Sequence, residues 1–265
     1  MTHLITGATN GLGLEMARRL VQDGHEVWVH GRSEESADRA RRETGAARAF
    51  SADLADIGAI RALAESVIEA GGVDVLTSNA GAFFKDLGHT PTGLERHVAI
   101  NHLAPFVLTN ALLAHIRERI VVVASDAHKQ ARPDWDDLAW NSRRYSAMRA
   151  YADSKLFNIL FTRSLAAKTE LSVNCLHPGF VDTGIGSRGE SKLVQQFGRL
   201  IKMFGKSPAR AVDCQIWAAT SAEAGAMTGE YVVKSKVKAS TRMAEDDALG
   251  ARLWTLSEQW ASSAS

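Results

Sequence analysis

The stretch Thr6-Gly7-Ala8-Thr9-Asn10-Gly11-Leu12-Gly13 decides the fold of this chain. It follows the short apolar run His3-Leu4-Ile5 and precedes a helical pattern with apolar residues at Leu14, Met16, Ala17, Leu20 and Val21. A strand, a glycine-rich turn and a helix in that order surround a pyrophosphate with backbone amides and a helix N-terminus. The spacing G-x-x-x-G-x-G therefore predicts a dinucleotide-binding turn, with a flexible loop as the alternative.

The glycines of this turn have different predicted roles. Gly7 allows the tight turn, Gly11 lets the backbone approach the ligand closely, and Gly13 allows close packing of the helix. We expect contacts with the cofactor from Gly7, Thr9, Asn10, Gly11, Leu12 and Gly13.

Length, charge and cysteine content narrow the class of protein. The 265 residues include 31 basic and 30 acidic side chains, a balance that gives no field to attract nucleic acid or an anionic membrane. The chain opens directly into an apolar strand, and no later run looks long enough to span a bilayer, so we expect a cytoplasmic protein without an integral membrane segment. Cys175 and Cys214 have no metal-ligand spacing with histidines and fit buried thiols in a reducing compartment.

Strands and helices alternate along the rest of the chain. Strands are predicted at 26–30, 49–51, 73–77, 119–124, 171–176 and 230–234, and helices at about 33–44, 56–70, 93–118, 142–167, 208–222 and 246–260. This alternation predicts an α/β fold with a doubly wound, Rossmann-like parallel sheet. Because no linker, repeat or low-complexity tract divides the chain, we expect one domain over residues 1–265.

The end of the second strand bears on cofactor choice. In a dinucleotide fold this strand end faces the adenosine ribose, where an acidic residue would bind the two hydroxyls of NAD. The sequence here is Gly31-Arg32-Ser33, without an acid. Gly31 leaves room, Arg32 offers a planar fork for a 2′-phosphate and Ser33 a further donor, so NADP is favoured over NAD. A surface arginine on a basic helix is the alternative explanation for Arg32.

Two further strand ends carry candidate nucleotide contacts. Asp53-Leu54 follows the third strand, where a carboxylate could read the adenine amino group, although Asp53 could equally cap the next helix. Asn79-Ala80-Gly81 closes the fourth strand at the same carboxyl edge and is, by itself, an ordinary turn.

A second group of polar residues lies further along the chain. Asn101 interrupts the apolar face of a long helix, so it is either a hydrogen-bonded core residue or part of a site. Ser125 stands at the carboxyl end of an Ile- and Val-rich strand, the edge where such sheets bind ligands. Residues 126–145 are irregular and contain Trp135 and Trp140, as is typical of a binding loop or lid.

Tyr151 and Lys155 are four residues apart on a predicted helix. Residues at this spacing lie on one face, about 6 Å apart along the axis. A neighbouring ammonium favours the phenolate and lowers the pKa of a tyrosine, so the pair predicts a proton donor and acceptor. The spacing alone is weak evidence for a catalytic pair, because a solvent-exposed helix face with a tyrosine and a lysine gives the same pattern.

The sixth strand is followed by Pro178-Gly179-Phe180-Val181-Asp182-Thr183 and then by a helical insertion at 184–207. The insertion has one apolar stripe, formed by Leu193, Val194, Phe197, Leu200, Ile201 and Phe204. It predicts a helix docked on the body, a mobile lid over an apolar substrate, or a contact with a membrane surface.

Taken together, these motifs resemble the short-chain dehydrogenase/reductase family over most of the chain. The resemblance rests on the glycine turn, Asp53, Asn79-Ala80-Gly81, Asn101, Ser125, Tyr151-x-x-x-Lys155 and Pro178-Gly179-x-Val181-x-Thr183, in the family's order. The run from Tyr151 to Arg163, Lys206-Ser207-Pro208 and Arg252-Leu253-Trp254 are similar to the retinol-dehydrogenase-like branch. The membrane-anchoring N-terminal segment of many animal members is missing, which weakens retinoid as the substrate, and Ala124 replaces a serine that often precedes the catalytic one.

The resemblance implies a catalytic tetrad of Asn101, Ser125, Tyr151 and Lys155. Tyr151 would exchange a proton with the substrate oxygen, and Ser125 would orient that oxygen. Lys155 would lower the pKa of Tyr151 and hold the nicotinamide ribose, while Asn101 would connect Lys155 to solvent through its backbone carbonyl and a water. Pro178, Gly179, Val181 and Thr183 would line the nicotinamide, with Val181 and Thr183 on its carboxamide.

The sequence thus predicts an NADP-dependent oxidoreductase that interconverts a carbonyl and an alcohol on a mainly apolar small molecule. A non-redox enzyme on the same scaffold and a nucleotide-bound regulatory protein are the alternatives. The family often forms homodimers through the helix that holds Tyr151, so Phe157, Leu160 and Phe161 could belong to the core or to an interface.

Overall fold

The computed structural model describes residues 1–178 and 212–263. The strands are β1 Thr2–Ile5, β2 Glu26–Gly31, β3 Arg48–Ser51, β4 Val73–Ser78, β5 Ile116–Val123, β6 Ser172–His177, β7 Tyr231–Val233 and β8 Lys236–Val237. The α-helices are α1 Gly11–Gln22, α2 Glu34–Thr44, α3 Ile57–Glu69, α4 Arg96–Val98, α5 Ala104–Leu112, α6 Ala147–Ala166, α7 Asp213–Thr220, α8 Ala222–Gly225 and α9 Asp247–Ser262.

The strands form one sheet in the order β3-β2-β1-β4-β5-β6-β7-β8. Strands β1 to β7 are parallel to their neighbours, and β8 pairs antiparallel with β7. The strand order reverses between β1 and β4, and open α/β sheets bind ligands at the carboxyl edge of such a switch point. The predicted doubly wound α/β fold is therefore confirmed.

Apolar side chains cover both faces of the sheet. On one face, α3, α5, α6 and α9 pack around residues such as Leu76, Leu108, Ile120 and Phe157. On the other face, α1 and α7 pack around residues such as Met16, Leu20, Val29 and Val121. The sheet is therefore buried on both sides, as the Ile- and Val-rich strands predicted.

The long helix predicted at 93–118 is shorter and irregular. It runs from α4 through a π-helical turn at Ala99–Leu103 into α5 and ends after a 3₁₀ turn at Leu113–His115. Strand β5 begins at Ile116 and pairs with Val73, so 116–118 belong to the sheet. The exposed charged pair at 117–118 disguised this strand start, because it resembles the polar face of a helix.

Three helices begin later than the sequence pattern predicted. Ser33 caps α2 and Asp56 caps α3, so both helices begin one residue later than predicted. Helix α6 begins at Ala147, five residues after its predicted start, and Ser146 before it has an extended backbone. The sequence also missed β8, because its tight turn uses Lys234 and Ser235 at φ of 54° and 56° instead of the usual glycine or asparagine.

The segment Arg96–His115 corrects one expectation from the sequence. It is 20 residues long and contains an 18-residue window with a mean hydropathy of 1.2, so by length and composition it could cross a membrane. In the structure, 72% of its apolar window is buried inside the protein. It is therefore explained as a core helix, whose apolar residues pack on the sheet and on α3.

Helix α9 covers the outer face of α6. Phe157, Leu160 and Phe161 are all 2% exposed or less, and the ring of Phe161 stacks on Trp254 with 6.1 Å between centroids. His102 contacts the Ser257 hydroxyl at 2.8 Å across the same packing layer. These three α6 residues are therefore core residues of the single chain, which decides between the two alternatives left by the sequence.

Candidate active site

The glycine turn after β1 forms a tight cradle at the carboxyl edge of the sheet. Gly7 and Gly11 have φ of +64° and +56°, a region that favours glycine. A Cβ atom on Gly7 would lie 2.8 Å from the Ala80 Cα, and one on Gly13 would lie 2.4 Å from the Gly7 carbonyl oxygen. Gly13 thus allows the turn to close on itself, a role different from the helix packing predicted for it.

Two polar side chains hold this cradle. The Asn79 amide donates to the carbonyl oxygens of Thr6 at 2.9 Å and Gly7 at 3.1 Å. The Thr6 hydroxyl accepts from the backbone amides of Asn79 and Ala80. Asn79, predicted as a cofactor contact, therefore fixes the shape of the turn that would bind the cofactor.

Gln215 on α7 is a member of this network that the sequence analysis missed. It is fully buried, and its amide donates to the Asn79 side-chain oxygen at 2.9 Å. Asn79 and Gln215 are 136 positions apart in the chain. No local sequence signal connects them, so only the fold could reveal the contact.

The N-terminus of α1 faces the cradle without a side-chain cap. Asn10 is the N-cap residue, but its side chain makes no capping hydrogen bond, and the first turn contains no acidic residue. Free backbone amides and the positive end of the helix dipole together favour an anion at this position.

The end of β2 at Gly31 does not leave the free space that the sequence predicted there. A Cβ atom there would meet the Thr9 methyl at 2.5 Å and the Ser36 hydroxyl at 2.9 Å, so the protein itself fills the predicted free space. The Ser33 hydroxyl forms a capping box with Ser36 at the start of α2. Arg32 is exposed and has no ion-pair or hydrogen-bond partner within residues 1–178 and 212–263, so it remains the candidate for a 2′-phosphate.

Asp53 and Leu54 lie just beyond β3. The Asp53 carboxylate is exposed and accepts from the Ala55 backbone amide at 3.0 Å. The capping role considered for Asp53 is wrong, because Asp56 caps α3 by accepting from the amides of Gly58 and Ala59. The adenine contact stays a prediction.

Ser125 follows directly after β5 and lies against Tyr151. Its hydroxyl accepts from the Ala127 backbone amide at 3.2 Å and lies close enough to the Tyr151 phenol to lower the pKa of that group. His128 secures this turn, with Nδ1 2.7 Å from the Ser125 carbonyl oxygen and Nε2 2.9 Å from the Ser240 hydroxyl. Ser125 and Tyr151 are thus brought together although 26 positions separate them.

Tyr151 and Lys155 share one face of α6, as predicted. The Lys155 Nζ lies 5.7 Å from the centre of the Tyr151 ring and donates to the Val123 carbonyl oxygen at 2.9 Å. Burial raises the pKa of the Tyr151 phenol, and the hydrogen bond from Ser125 acts in the opposite sense. This direction is opposite to the one expected from the sequence, because burial opposes the phenolate more strongly than the neighbouring groups favour it.

Burial also lowers the pKa of the Lys155 ammonium from 10.5 to about 8. The group lies deep under the sheet edge, where the charged form loses hydration. Gly81 lies next to it, since a Cβ atom there would be 3.4 Å from the Lys155 Nζ and 3.5 Å from the Asn101 side-chain oxygen.

Asn101 lies in the π-helical turn at Ala99–Leu103 and is fully buried. Its side chain exchanges two hydrogen bonds with the Ala82 backbone, at 2.7 and 3.0 Å, and donates to the Ser154 hydroxyl at 3.1 Å. Ser154 in turn donates to the Tyr151 carbonyl oxygen at 2.7 Å. Asn101 thus connects the segment after Gly81 to the helix of Tyr151, and π-helical turns often occur at functional sites.

An aromatic cluster beside Tyr151 was absent from the sequence prediction. The rings of Phe83 and His97 meet the Tyr151 ring edge-on, with centroid distances of 5.6 and 5.9 Å. His97 also touches Phe84 and pairs with the buried Glu95. These residues lie in an irregular stretch and a short helix, where no periodic pattern marked them.

Of the last predicted group, only Pro178 lies within the described residues. It is half-buried and directly follows β6, at the same sheet edge as Ser125. The predicted contacts of Gly179, Val181 and Thr183 and the predicted lid at 184–207 lie outside the described residues.

The described residues fit a nicotinamide dinucleotide. The cradle around Gly7 and Gly13 has no room for a side chain, and the N-terminus of α1 has no side-chain cap. Ser125, Tyr151 and Lys155 lie further along the same edge. A pyrophosphate at the first position would direct the nicotinamide end of the cofactor toward the second.

Comparison with known proteins identifies the family. The sequence profile of the family described as short chain dehydrogenase matches residues 2–193. The chain belongs to the short-chain dehydrogenases/reductases. It lies in their retinol-dehydrogenase-like branch, as its motifs predicted, and it is therefore an oxidoreductase whose fold binds a nicotinamide cofactor.

Several relatives cover almost the whole chain. Human retinol dehydrogenase 14 is 34% identical over 97% of this chain and 85% of its own length. DnrU of Streptomyces sp. (strain C5), provisionally named a daunorubicin C-13 ketoreductase, is 32% identical over 97% of this chain and 91% of its own.

Solved structures agree with this assignment. A protein from Mycobacterium paratuberculosis is 32% identical, covers 98% of this chain and 93% of its own, and superposes with a TM-score of 0.79. A blue fluorescent protein from a metagenomic library, solved in complex with NADPH, is 26% identical with a TM-score of 0.69, over 88% of this chain and 95% of its own.

Proposed function

We propose that this oxidoreductase uses NADP(H) to interconvert a carbonyl and an alcohol on a mainly apolar small molecule. The observation that supports this most strongly is the placement of Ser125 beside the Tyr151 phenol, with the buried Lys155 on the same face of α6, at the carboxyl edge of the sheet that also carries the nucleotide cradle. The bound nicotinamide supplies or accepts the hydride. The residues of the chain bind and orient the reactants and move the proton.

Tyr151 is the proposed general acid for carbonyl reduction. Because burial raises the pKa of its phenol, the side chain is protonated at neutral pH and can donate a proton to the substrate oxygen. Ser125, beside the same phenol, orients the substrate carbonyl. The phenolate that forms is stabilised by the Lys155 ammonium, which lies on the same face of α6.

Asn101 is the proposed link between Lys155 and solvent. It is buried in a π-helical turn, where the change of helical pitch interrupts the regular pattern of backbone bonds. A carbonyl oxygen freed in this way could hold a water molecule next to the Lys155 ammonium. Replacement of the proton lost by Tyr151 would follow this route.

Arg32 is the proposed basis of a preference for NADP over NAD. It is exposed at the end of β2 and has no acidic neighbour in the sequence Gly31-Arg32-Ser33. A guanidinium can bind a phosphate with two parallel hydrogen bonds. The related metagenomic protein was solved with NADPH, which agrees with this choice.

The apolar character of the proposed substrate follows from the side chains around Tyr151. Phe83 lies against the Tyr151 ring, Phe84 lies against His97 in the same cluster, and both phenylalanines are half-buried; Leu87 is 39% exposed in the same segment. Retinol, named in several relatives, is a largely hydrocarbon alcohol. An apolar ligand would gain about 25 cal/mol for each Å² of apolar surface that it buries here.

We further propose that the protein is cytoplasmic and that any homodimer it forms uses a surface other than the face of α6 covered by α9. The nearly equal numbers of acidic and basic residues give no attraction to anionic membranes. The face of α6 through which the family often pairs is covered by α9, so a homodimer would have to use another surface.

The test is a spectroscopic assay with the purified protein. NADPH and a panel of hydrophobic aldehydes and ketones should give a loss of absorbance at the nicotinamide band and the corresponding alcohols. Tyr151→Phe should reduce turnover at least about 100-fold while it leaves NADPH affinity unchanged. Full turnover in Tyr151→Phe would refute the proton-transfer role.

A further inference from the structure

We infer that Glu95 and His97 are positioning residues for Tyr151. They connect the ring of this tyrosine to two segments beside the proposed substrate site, residues 82–85 and the loop before α6. The inference rests on the proposed function, because it assumes that Tyr151 is the proton donor. It adds a pair of residues that touch neither the reacting atoms nor the cofactor cradle.

Glu95 is a fully buried carboxylate whose two oxygens both accept hydrogen bonds. One oxygen accepts from the backbone amides of His97 at 2.8 Å and Val98 at 3.1 Å. The other accepts from the His97 ring at 2.8 Å and the Tyr145 hydroxyl at 3.1 Å. A buried carboxylate is tolerated only with partners of this kind, so Glu95 is a fixed point of the structure.

The geometry assigns one tautomer to the His97 ring. Its Nε2 lies 2.8 Å from the backbone amide of Phe84 and must accept from it, because an amide nitrogen can only donate. Its Nδ1 therefore carries the hydrogen and donates to Glu95. His97 thus transmits the fixed position of Glu95 to the backbone of the segment 82–85.

This segment holds the ring of Tyr151 from the side. Phe83 lies 5.6 Å from the Tyr151 centroid and His97 lies 5.9 Å from it, both edge-on, the arrangement that aromatic pairs prefer. The neighbouring Phe84 is itself held between His97 at 5.3 Å and the guanidinium of Arg96 at 4.3 Å. Release of the Phe84 amide would free both phenylalanines and remove a lateral support of the phenol.

The loop before α6 reaches the same fixed point. Tyr145 donates to Glu95, and its ring meets Trp140 edge-on at 5.3 Å. Trp140 has a φ of 60°, a conformation that is unusual for a bulky residue and persists only when its surroundings enforce it. Buried at 3% exposure and with the Arg143 guanidinium 3.6 Å from its ring centre, Trp140 anchors the loop to Glu95 through Tyr145.

These contacts give Glu95 and His97 a specific consequence for catalysis. The phenol must be close to the substrate oxygen and correctly aligned, and a displacement of about 1 Å can lower a rate on the order of 100-fold. The pair lies away from the glycine cradle, so loss of its contacts should change turnover without changing nucleotide binding.

The test compares two substitutions of the same residue. His97→Leu removes the acceptor for the Phe84 amide, whereas His97→Gln can place a carbonyl oxygen near the Nε2 position and an amide toward Glu95. We expect His97→Leu to lower kcat at least about 10-fold with the NADPH Kd within about twofold of the unmodified protein, and His97→Gln to restore most of the loss. His115→Leu, an exposed histidine beyond α5, is the matched control.

Hydrogen exchange at residues 82–85 provides a readout that does not require turnover. The Phe84 amide should exchange slowly in the unmodified protein and in His97→Gln, and faster in His97→Leu. Unchanged exchange or unchanged kcat in a folded His97→Leu would overturn the inference. An inactive unmodified protein in which His97→Leu still accelerates exchange would instead overturn the proposed function and leave the anchoring of Phe84 intact.

If His97→Leu does not fold, Tyr145→Phe keeps the ring and removes one donor to Glu95. A decrease of about threefold in kcat, with the NADPH Kd unchanged, is the expected result. A kcat equal to that of the unmodified protein would show that the loop before α6 does not help to position Tyr151, and it would overturn that part of the inference.

Discussion

The ammonium of Lys155 lies 5.7 Å from the centre of the Tyr151 ring and donates its hydrogen bond to the Val123 carbonyl oxygen. The two side chains share one face of α6, where a backbone oxygen holds the lysine and Ser125 lies beside the tyrosine. Burial shifts both groups toward their neutral forms. In the proposed mechanism, Tyr151 is neutral before the reaction, and the nearby Lys155 ammonium stabilises the negative charge that forms when the phenol gives up its proton.

Replacement of Lys155 by methionine should change stability in a pH-dependent way. Burial lowers the pKa of Lys155 from 10.5 to about 8, so the unfolded chain binds more protons between these values and the free energy of unfolding rises with pH there. Below pH 8, Lys155→Met should be more stable than the unmodified protein by up to about 3 kcal/mol, although its turnover should be almost lost.

Urea denaturation of the cofactor-free protein from pH 7 to pH 10 measures this difference. The stability gap between the two proteins should narrow as the pH rises above 8. Lys168→Met, at an exposed lysine, should show no such trend. A gap that is independent of pH would contradict the proposed environment of Lys155.

Arg32→Ala should remove the proposed preference for NADP. Loss of a guanidinium that binds a 2′-phosphate should raise the Kd for NADPH at least about 10-fold and leave the Kd for NADH within about twofold. Fluorescence titration with both nucleotides gives these values. Arg39→Ala, at an exposed arginine on α2, is the control, and equal effects of the two substitutions would favour the explanation of Arg32 as a surface arginine.

Gly13→Ala should damage the nucleotide cradle. The added methyl would lie 2.4 Å from the Gly7 carbonyl oxygen and 2.5 Å from the Asn79 amide, so the turn must open. We expect a loss of stability of about 1–3 kcal/mol and at least about 10-fold weaker NADPH binding. Thermal unfolding and titration would measure both quantities, with Gly58→Ala, where the methyl meets only the Asp56 carboxylate at 3.2 Å, as the control.

Asp153→Asn should stabilise the protein at neutral pH. Burial raises the pKa of Asp153 to about 6, while the Arg132 backbone amide lowers it, and one carboxylate oxygen has no hydrogen-bond partner among the described residues. Because the folded-state pKa is raised from 3.8, the free energy of unfolding falls as the pH rises from about 4 to 6. Removal of the charge should add about 1–2 kcal/mol at pH 7.

Urea denaturation at pH 4 and pH 7 tests this sign. The advantage of Asp153→Asn should be present at pH 7 and absent near pH 4, where the carboxyl group is protonated in the folded protein. Glu65→Gln, at an exposed position on α3, should change little at either pH. A stabilisation of equal size at both values would rule out the titration of Asp153 as its cause.

The sequence predicted the sheet and the positions at its carboxyl edge because those features depend on local pattern. The strand before Gly7, the Ile- and Val-rich strand before Ser125 and the four-residue spacing of Tyr151 and Lys155 each carry a local signal. Since parallel strands end at one edge, the residues that follow them meet without any further information.

Other features depended on contacts that no local pattern encodes. Gly31 was expected to leave space for the cofactor, but the fold brings Thr9 and Ser36 into that space. Glu95 resembles an exposed helix-start acid in the sequence, and only the approach of Tyr145, 50 positions away, shows that it is buried. The direction of the Tyr151 pKa could not be predicted either, because it depends on burial.

The most direct test of the central claim follows the hydride itself. NADPH carrying deuterium at C4 of the nicotinamide, on the face that is transferred, is mixed with the protein and an apolar ketone, and the product is analysed by mass spectrometry and NMR. The account predicts one deuterium at the carbinol carbon for each NADPH oxidised, and almost no labelled product with Tyr151→Phe. A product that forms without deuterium while NADPH is unchanged would contradict it and would favour a non-redox reaction on this scaffold.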